Sequence, residues 1–486
     1  MRKIVAALAV LLLALVLVVT VRTMRFAPVR LEQRHDVSLP AVNELVLAEH
    51  LSGAIRFPTI SKQDSGPALE PMRALHAYLA KTFPLTHATL AREVVQPANL
   101  LFKWTGTDTT LEPVVMMAHM DVVPVEEGSE GSWTHPPFSG DIADGFVWGR
   151  GSLDDKIGVL STLEAVEALL ARGYHPRRTV YLAFGDDEEV EGRGAAAIVA
   201  LLKSRGVRPL VAVDEGSGIV RGIIPNISRP AALIGVAEKG HMSVQLTVKS
   251  AGGHSSMPPP QTAVGMLAQA VDRLEKHPLP ARLDGAVAEM LTVLGREMPL
   301  SSRIAMANLW LTRRLVIGQL SHSAATNATL RTTTAPTMIQ GSPKENVLPI
   351  RAQAIVNFRI IPGETPETVM QHVRQVVDDA RVEITFAEPP TPPSPVSRTT
   401  SPAYLVLARD ITVLEPSAIV APSLVIGATD SRQYAGYARD VYRFLPMQIG
   451  PEDLDRVHGT NERVGVHDYA RGVAFMTLLI SDLSSQ

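Results

Sequence analysis

The apolar run Val180-Tyr181-Leu182-Ala183-Phe184 ends in Gly185-Asp186-Asp187-Glu188-Glu189-Val190-Glu191, and no other stretch restricts the fold as much. A buried-type strand that empties into five acids must find something to offset them. Like charges at that density repel, and burial near a core raises the cost further. A solvated loop is the ordinary explanation of an acid run. The strand in front of this one favours a cation-binding site instead, which requires other ligands to converge on the same edge.

Thiolates cannot be among them, because the 486-residue chain contains no cysteine. Disulfides and Cys nucleophiles are excluded with them, and any metal is left to His, Asp and Glu. A chain this long calls for two domains. Apolar content of 46%, charged content of 20% and 36 prolines describe a folded protein rich in turns. The net charge of −3 leaves no polybasic footprint, so the reading is no nucleic acid partner.

Arg2 and Lys3 precede Ile4 to Val21, an uncharged segment in which Thr20 is polar. It is long enough for a transmembrane helix. No small-x-small cleavage site follows, since the exit reads Val19-Thr20-Val21-Arg22, so an uncleaved signal anchor is favoured over a cleaved signal peptide. Basic residues flank both ends (Arg2, Lys3; Arg22, Arg25, Arg30) and orient it only weakly. Either reading sends the folded part across a membrane, facing the periplasm or outside of the cell, or secreted.

Residues 1–35 are thus a leader plus linker. Helices are expected from about Leu45 and over Pro67 to Phe83, and strands over Asn99 to Trp104 and Pro113 to Met117. Ala118-His119-Met120-Asp121 follows the second strand. Gly149-Arg150-Gly151-Ser152-Leu153-Asp154-Asp155-Lys156 leads into a helix with Val159, Leu163, Val166 and Leu170 on one face. Val211-Ala212-Val213 is another buried-type strand, ending in Asp214-Glu215-Gly216. Strands alternating with helices, each leaving polar residues at its C-terminal end, predict an α/β sheet with a site along that edge. The middle differs. His241 to Ser250, Thr262 to Lys276, Thr332 to Gln340, Ala352 to Ile361, Thr365 to Ala380 and Val382 to Ala387 read β-α-β-β-α-β, a ferredoxin-like order with a less readable insertion. The prediction is a catalytic domain in two parts, 36–236 and 389–486, carrying an inserted module at 237–388.

A hydrolytic metal centre without cysteine needs His nitrogens and carboxylates at strand ends, and two ions roughly 3.5–4 Å apart need a shared carboxylate. His119, Asp121, Asp154, the acids 187–189, Asp214 or Glu215, and His458 are available. A single His-x-Asp is usually structural; several such groups, each past a strand or turn, are a stronger signal. Two decoys are weaker. Gly192-Arg193-Gly194-Ala195-Ala196-Ala197 fits a relaxed dinucleotide fingerprint, but a pyrophosphate needs a helix N-terminus free of anions. Gly253-His254-Ser255-Ser256 is not accompanied by any Gly-x-Ser-x-Gly elbow.

Ala118-His119-Met120-Asp121, Gly149 to Lys156, Asp187-Glu188-Glu189, Gly252-Gly253-His254-Ser255-Ser256 and His458 resemble, in order and spacing, the dinuclear zinc carboxypeptidase/aminoacylase family. Thr429-Asp430-Ser431-Arg432, Tyr442-Arg443-Phe444 and His458-Gly459-Thr460-Asn461-Glu462 look most like its branch of Gly-Xaa carboxypeptidases and secreted N-acyl-amino-acid hydrolases. The resemblance implies a zinc-exopeptidase-like mixed sheet flanked by helices, with the inserted module as lid and dimerisation surface. It implies two Zn2+ per subunit, with Asp154 bridging, His119 and Asp214 completing one ion, and Glu189 and His458 the other. Glu215 remains an alternative to Asp214. Asp121 would orient His119, and Glu188 would be the general base. The peptide bond after the bridging residue, Asp154-Asp155, would be cis. His254 and Asn346 would contact the oxyanion or substrate, and Arg359 would clamp the substrate carboxylate. Arg150 and Lys156 are read as balancing the acids. The implied activity is that of a Gly-Xaa type carboxypeptidase or dipeptidase, with an N-acyl-amino-acid hydrolase as the alternative. A non-catalytic binding protein on this scaffold would lack the base or the bridging ligand, and both Glu188 and Asp154 are present.

Overall fold

A computed structural model describes residues 1–28, 37–190 and 192–485. The boundary expected between 35 and 36, Arg30, and the last acid of the run, Glu191, lie outside the described residues.

The larger of the main sheets has ten strands. Its middle is parallel: Asp440–Arg443, Val211–Asp214, Val114–His119 and Val180–Gly185 lie side by side. Asn99–Trp104 and Ala91–Val95 extend one side antiparallel, and Ala231–Glu238 with Ile419–Val425 extend the other. This is the mixed sheet that the sequence implied. Val114, Met116 and Ala118 enter one core while Val115 and Met117 enter another, the period of two for a strand buried on both faces. Val180, Leu182 and Phe184 divide from Tyr181 and Ala183 in the same way. Helices Glu44–Ile55, Lys156–Ala171, Pro402–Leu414 and Val466–Ser485 cover the first face, and Arg193–Ser204 covers the second. Their starts follow from side-chain caps, such as Asn43 accepting from the Val46 amide and Ser401 from the Tyr404 amide. The parallel strands deliver His119, Gly185 and Asp214 to one edge.

The second main sheet is fully antiparallel, in the order Thr333–Gln340, Arg351–Ile360, Gly240–Lys249, Val382–Phe386. That order is the ferredoxin-like arrangement. Helices Ala263–Lys276 and Pro366–Val377 pack on it through a core of its own, which includes Leu246, Leu267, Phe358 and Val369. Residues 285–330 fall between its first two strands yet do not join that core. Their helices, Gly285–Glu297, Leu300–Ala307, Leu309–Leu320 and Ala324–Leu330, send Val287, Leu291, Met306 and Val316 into the large one. Besides the excursion through the 285–330 helices, the chain passes directly from one sheet to the other at two places, and these two passages bond to each other. His241 and Thr391 exchange two backbone hydrogen bonds of 2.8 Å, and the Ser394 and Ser397 amides donate to the carbonyls of Glu238 and Val236. Gly240 lies under this strap, where a Cβ would sit 2.5 Å from the Thr391 carbonyl oxygen.

The helix Arg2–Arg25 is long and apolar enough to cross a membrane, with mean hydropathy 3.3 over its most apolar stretch, none of which is buried.

A small sheet positions two loops. Phe146–Trp148 pairs with Arg463–Gly465, so the chain from Gly149 and the chain up to Glu462 run side by side. Glu462 ties them: one carboxylate oxygen accepts from the amides of Gly151 (2.9 Å), Leu153 (2.8 Å) and Asp154 (3.3 Å). The other oxygen pairs with Arg150 Nη1 at 2.5 Å, and Arg150 Nη2 donates to the carbonyls of His458 and Gly459. Arg150 therefore balances Glu462. Lys156 does not pair with an acid; its Nζ donates to the Ala54 and Phe57 carbonyls. Because Arg150 and Glu462 are both buried, Glu462→Ala leaves a guanidinium unpaired in the interior at a cost of about 3–5 kcal/mol. Calorimetry should show a clearly lower melting temperature; an unchanged one would remove Glu462 from this role.

Candidate metal centre

His119 Nε2 lies 2.9 Å from Asp154 Oδ1, and His458 Nε2 lies 3.0 Å from Asp154 Oδ2. His458 Nε2 is also 3.2 Å from Glu189 Oε2. Two sets of potential ligand atoms result, His119 with Asp154 and Glu215, and Asp154 with Glu189 and His458, each set lying within 4.8 Å. Asp154 belongs to both. The structure brings Glu215, not Asp214, into the first set. Asp214 is turned away: its Oδ2 accepts from the Ser431 amide at 2.8 Å, inside the protein. Successive residues at a strand end point to opposite sides, so one of the two can face the cluster.

The acid run separates into scaffold and site. Asp186 Oδ2 accepts from the Ala98 amide at 2.6 Å. Asp187 accepts from the Arg193 and Gly194 amides, at the start of the helix Arg193–Ser204. That use of the helix N-terminus accounts for the glycine pattern, with Gly192 at φ 62° making the entry turn. Asp121 does two things. Its carbonyl oxygen is 3.0 Å from His119 Nδ1, which fixes the ring. Its carboxylate accepts from the amides of Glu188 (3.1 Å) and Glu189 (3.2 Å), which sets the turn that carries them. The Asp154–Asp155 peptide bond is cis. Asp155 in turn accepts from the His119 and Gly158 amides.

The two ligand sets consist of imidazoles and carboxylates, and Arg443 and Arg432 act on the neighbouring acids Asp214 and Asp430. Burial pushes Glu188 well above the usual carboxylate range, and Asp430, Glu189 and Asp154 add to it. Burial and the neighbouring acids Asp154, Asp155 and Asp214 do the same to Glu215. Burial alone would lower His119, but its hydrogen bonds to Asp121 and Asp154 outweigh that and raise it. Hydrogen bonds to Asp154 and Glu189 push His458 up to about 10. Protons on the imidazoles thus offset carboxylates, a role that a divalent cation takes over as such ligands lose their protons. Glu189 Oε1 is buried with no hydrogen-bond partner, the kind of orphan lone pair that a cation satisfies. The donor set fits a metal.

Sequence reasoning assigned no role to Asp430. It is buried, neither carboxylate oxygen has a hydrogen-bond partner, and a Cβ at Gly185 would fall 2.3 Å from its Oδ2. The available signal was its place in Thr429-Asp430-Ser431-Arg432, where Thr429 caps the turn by accepting from the Ser431 amide. His254 and Asn346 come together elsewhere: Gly253–His254 pairs with Val347–Leu348, and the Ser255 amide donates to the Asn346 carbonyl. The exposed His254 ring meets Ser256 through Nδ1. Arg359 sits opposite His241 in the second sheet, and burial together with the charge of Arg432 lowers its pKa. None of His254, Asn346 and Arg359 belongs to either ligand set.

Residues 115–482 match the sequence profile of Peptidase family M20/M25/M40. The chain is 42% identical over 444 residues to the human N-fatty-acyl-amino acid synthase/hydrolase PM20D1, covering 90% of this chain and 88% of that protein. It is 37% identical over 483 residues to the probable carboxypeptidase S-like 2 of Dictyostelium discoideum, covering 97% and 92%. Its fold is similar to that of the M20 family metallo-carboxypeptidase Sso-CP2 of Sulfolobus solfataricus, with TM-score 0.64, 18% identity, and coverage of 91% and 99%. Human carnosine dipeptidase 1 gives TM-score 0.61 at 18% identity, with coverage of 91% and 97%. The paired ligand sets around Asp154 and these two lines of similarity agree, and the chain belongs to Peptidase family M20/M25/M40.

Proposed function

We propose that this chain hydrolyses an amide bond next to a free α-carboxylate, in an N-acyl amino acid, at two zinc ions held by His119, Asp154, Glu215, Glu189 and His458. The observation that carries the reading is Asp154, whose two oxygens face the two histidines and which both ligand sets share. Zinc at such a centre polarises the scissile carbonyl and acidifies a water. Glu188 belongs to neither ligand set, and Asp121 holds its amide. In this reading its carboxylate has the role that the family resemblance implies, the base that takes the proton of the attacking water and gives it to the leaving amine. In this reading Arg359 forms a bidentate pair with the substrate carboxylate. His254 and Asn346 donate to the oxyanion, with the second sheet acting as lid and as contact between two copies of the chain.

The relatives' names favour two acyl groups. The human relative is named for N-fatty-acyl amino acids and the Dictyostelium relative as a carboxypeptidase. The greater identity to the former supports taking N-acyl amino acids as the first reading. A Gly-Xaa carboxypeptidase is the second reading and uses the same residues. The helix Arg2–Arg25 supports a membrane-anchored enzyme whose folded part lies outside the cytoplasm.

Metal analysis of the purified chain should give about two zinc per chain, as a shared-carboxylate centre requires. Chelator should abolish turnover, and an N-fatty-acyl amino acid should be cleaved faster than Gly-Leu; the reverse preference selects the carboxypeptidase reading. Glu188→Ala should lower kcat by about 10²–10⁴-fold with metal retained. Metal loss in that variant would exchange the roles of Glu188 and Glu189. Glu215→Ala should lose metal that Asp214→Asn keeps; the opposite result restores Asp214 as ligand. Arg359→Ala should raise KM for substrates with a free carboxylate, and an equal effect on the corresponding amides would remove it from the clamp.

A further inference from the structure

We propose that the outer face of the helices Leu300–Ala307 and Leu309–Leu320 lies in the headgroup layer of an anionic bilayer, beside the point where the helix Arg2–Arg25 leaves it. The inference rests on reading Arg2–Arg25 as a membrane span, and adds to it a second contact made by the folded part.

These helices bury one side and expose the other, and the exposed side is apolar. Met306 and Val316 enter the large core. Outward, Leu300 is 57% exposed, Trp310 55%, Leu311 54% and Leu315 71%, with Ile304 also exposed. Leu300 and Ile304 are one turn apart on the first helix, and Leu311 and Leu315 on the second, so each pair forms a stripe. A water-facing helix surface normally carries charge there. The charge that is present has one sign. Between Glu297 and Glu345 the chain has no acidic residue, while Arg313 and Arg314 are exposed beside the stripe, Arg313 also donating through Nη2 to the Leu283 carbonyl, and Arg303 is half-buried. An apolar face with an aromatic and arginines, and no acid, is the pattern of a helix lying in a membrane interface.

The span ends on this element. Arg22 Nε donates to the Ala307 carbonyl (3.3 Å), and Asn308 Nδ2 donates to Thr23 Oγ1 (3.2 Å). Thr23 is the residue of the span that is buried, and nothing covers the apolar window before it. Lipid around that window therefore reaches to the level of Arg22 and Ala307, between the two apolar pairs. Arginines at that level pair with anionic headgroups.

The chain has no cysteine, so single labels are clean. The full-length protein, reconstituted in phosphatidylcholine–phosphatidylglycerol vesicles, is spin-labelled separately at Leu315→Cys, at Leu12→Cys within the span, and at Val94→Cys on the far edge of the large sheet. The ratio of oxygen to water-soluble nickel accessibility should be several-fold higher at Leu315 than at Val94, and higher still at Leu12. A Leu315 label that behaves like Val94 while Leu12 reads as lipid-buried overturns the docking and leaves the span intact. If Leu12 also reads as aqueous, span and docking fail together. Spin–spin broadening at Leu315 that disappears on dilution with unlabelled protein would make a second copy the occupant and overturn the proposal. Fluorescence gives an independent readout, because Trp104, Trp133 and Trp148 are buried. Brominated lipids should quench the native protein, and Trp310→Phe should abolish that quenching; equal quenching in both would refute contact at Trp310.

Discussion

Negative charge crowds one edge of the large sheet, and the fold depends on how each carboxylate there is satisfied. Backbone amides take most of the load. Asp121 accepts from Glu188 and Glu189, Asp155 from His119 and Gly158, Asp186 from Ala98, Asp187 from Arg193 and Gly194, and Asp214 from Ser431. Amide hydrogen bonds to a carboxylate oxygen are among the stronger ones. Left without such an amide are Asp154, Glu189 and Glu215, which gather with the two imidazoles, and Asp430, which is buried with neither oxygen hydrogen-bonded.

That explains how much of the site was legible in the sequence. The strands ending at His119, Gly185 and Asp214 were readable because both of their faces are apolar, and their ends followed from the first polar residue. The resemblance implied Asp154 as the shared residue, and Asp154 belongs to both sets of potential ligand atoms. Asp214 and Glu215 could not be separated beforehand. Their difference is which one meets the Ser431 amide, on a turn 217 positions away. The pairing of Arg150 with Glu462 was equally hidden, since its members are 312 positions apart and each alone looks like an ordinary surface charge.

The second sheet was legible for a different reason. Its elements alternate cleanly, as in Arg351–Ile360, where every second residue is buried. The helices at 285–330 had no such clarity. Leu311 and Leu315 are exposed while Val316 is buried, so apolar residues fall all round the helix and the 3.6-residue period is blurred. A segment that is apolar on both sides reads as noise until its two neighbours, the core and whatever lies outside, are considered together.

The strap between the sheets has a mechanical consequence. Two separate linkers would let the smaller sheet twist and slide as well as tilt. Here Glu238, His241, Thr391 and Ser394 are stitched into one narrow ribbon, and Gly240 leaves no room for a side chain that would part it. Two bonded strands bend across their length far more readily than they shear past one another. The ribbon therefore resists sliding where the chain leaves and re-enters the large sheet, and the 285–330 helices, packed into the large core, tie the smaller sheet to it a second time.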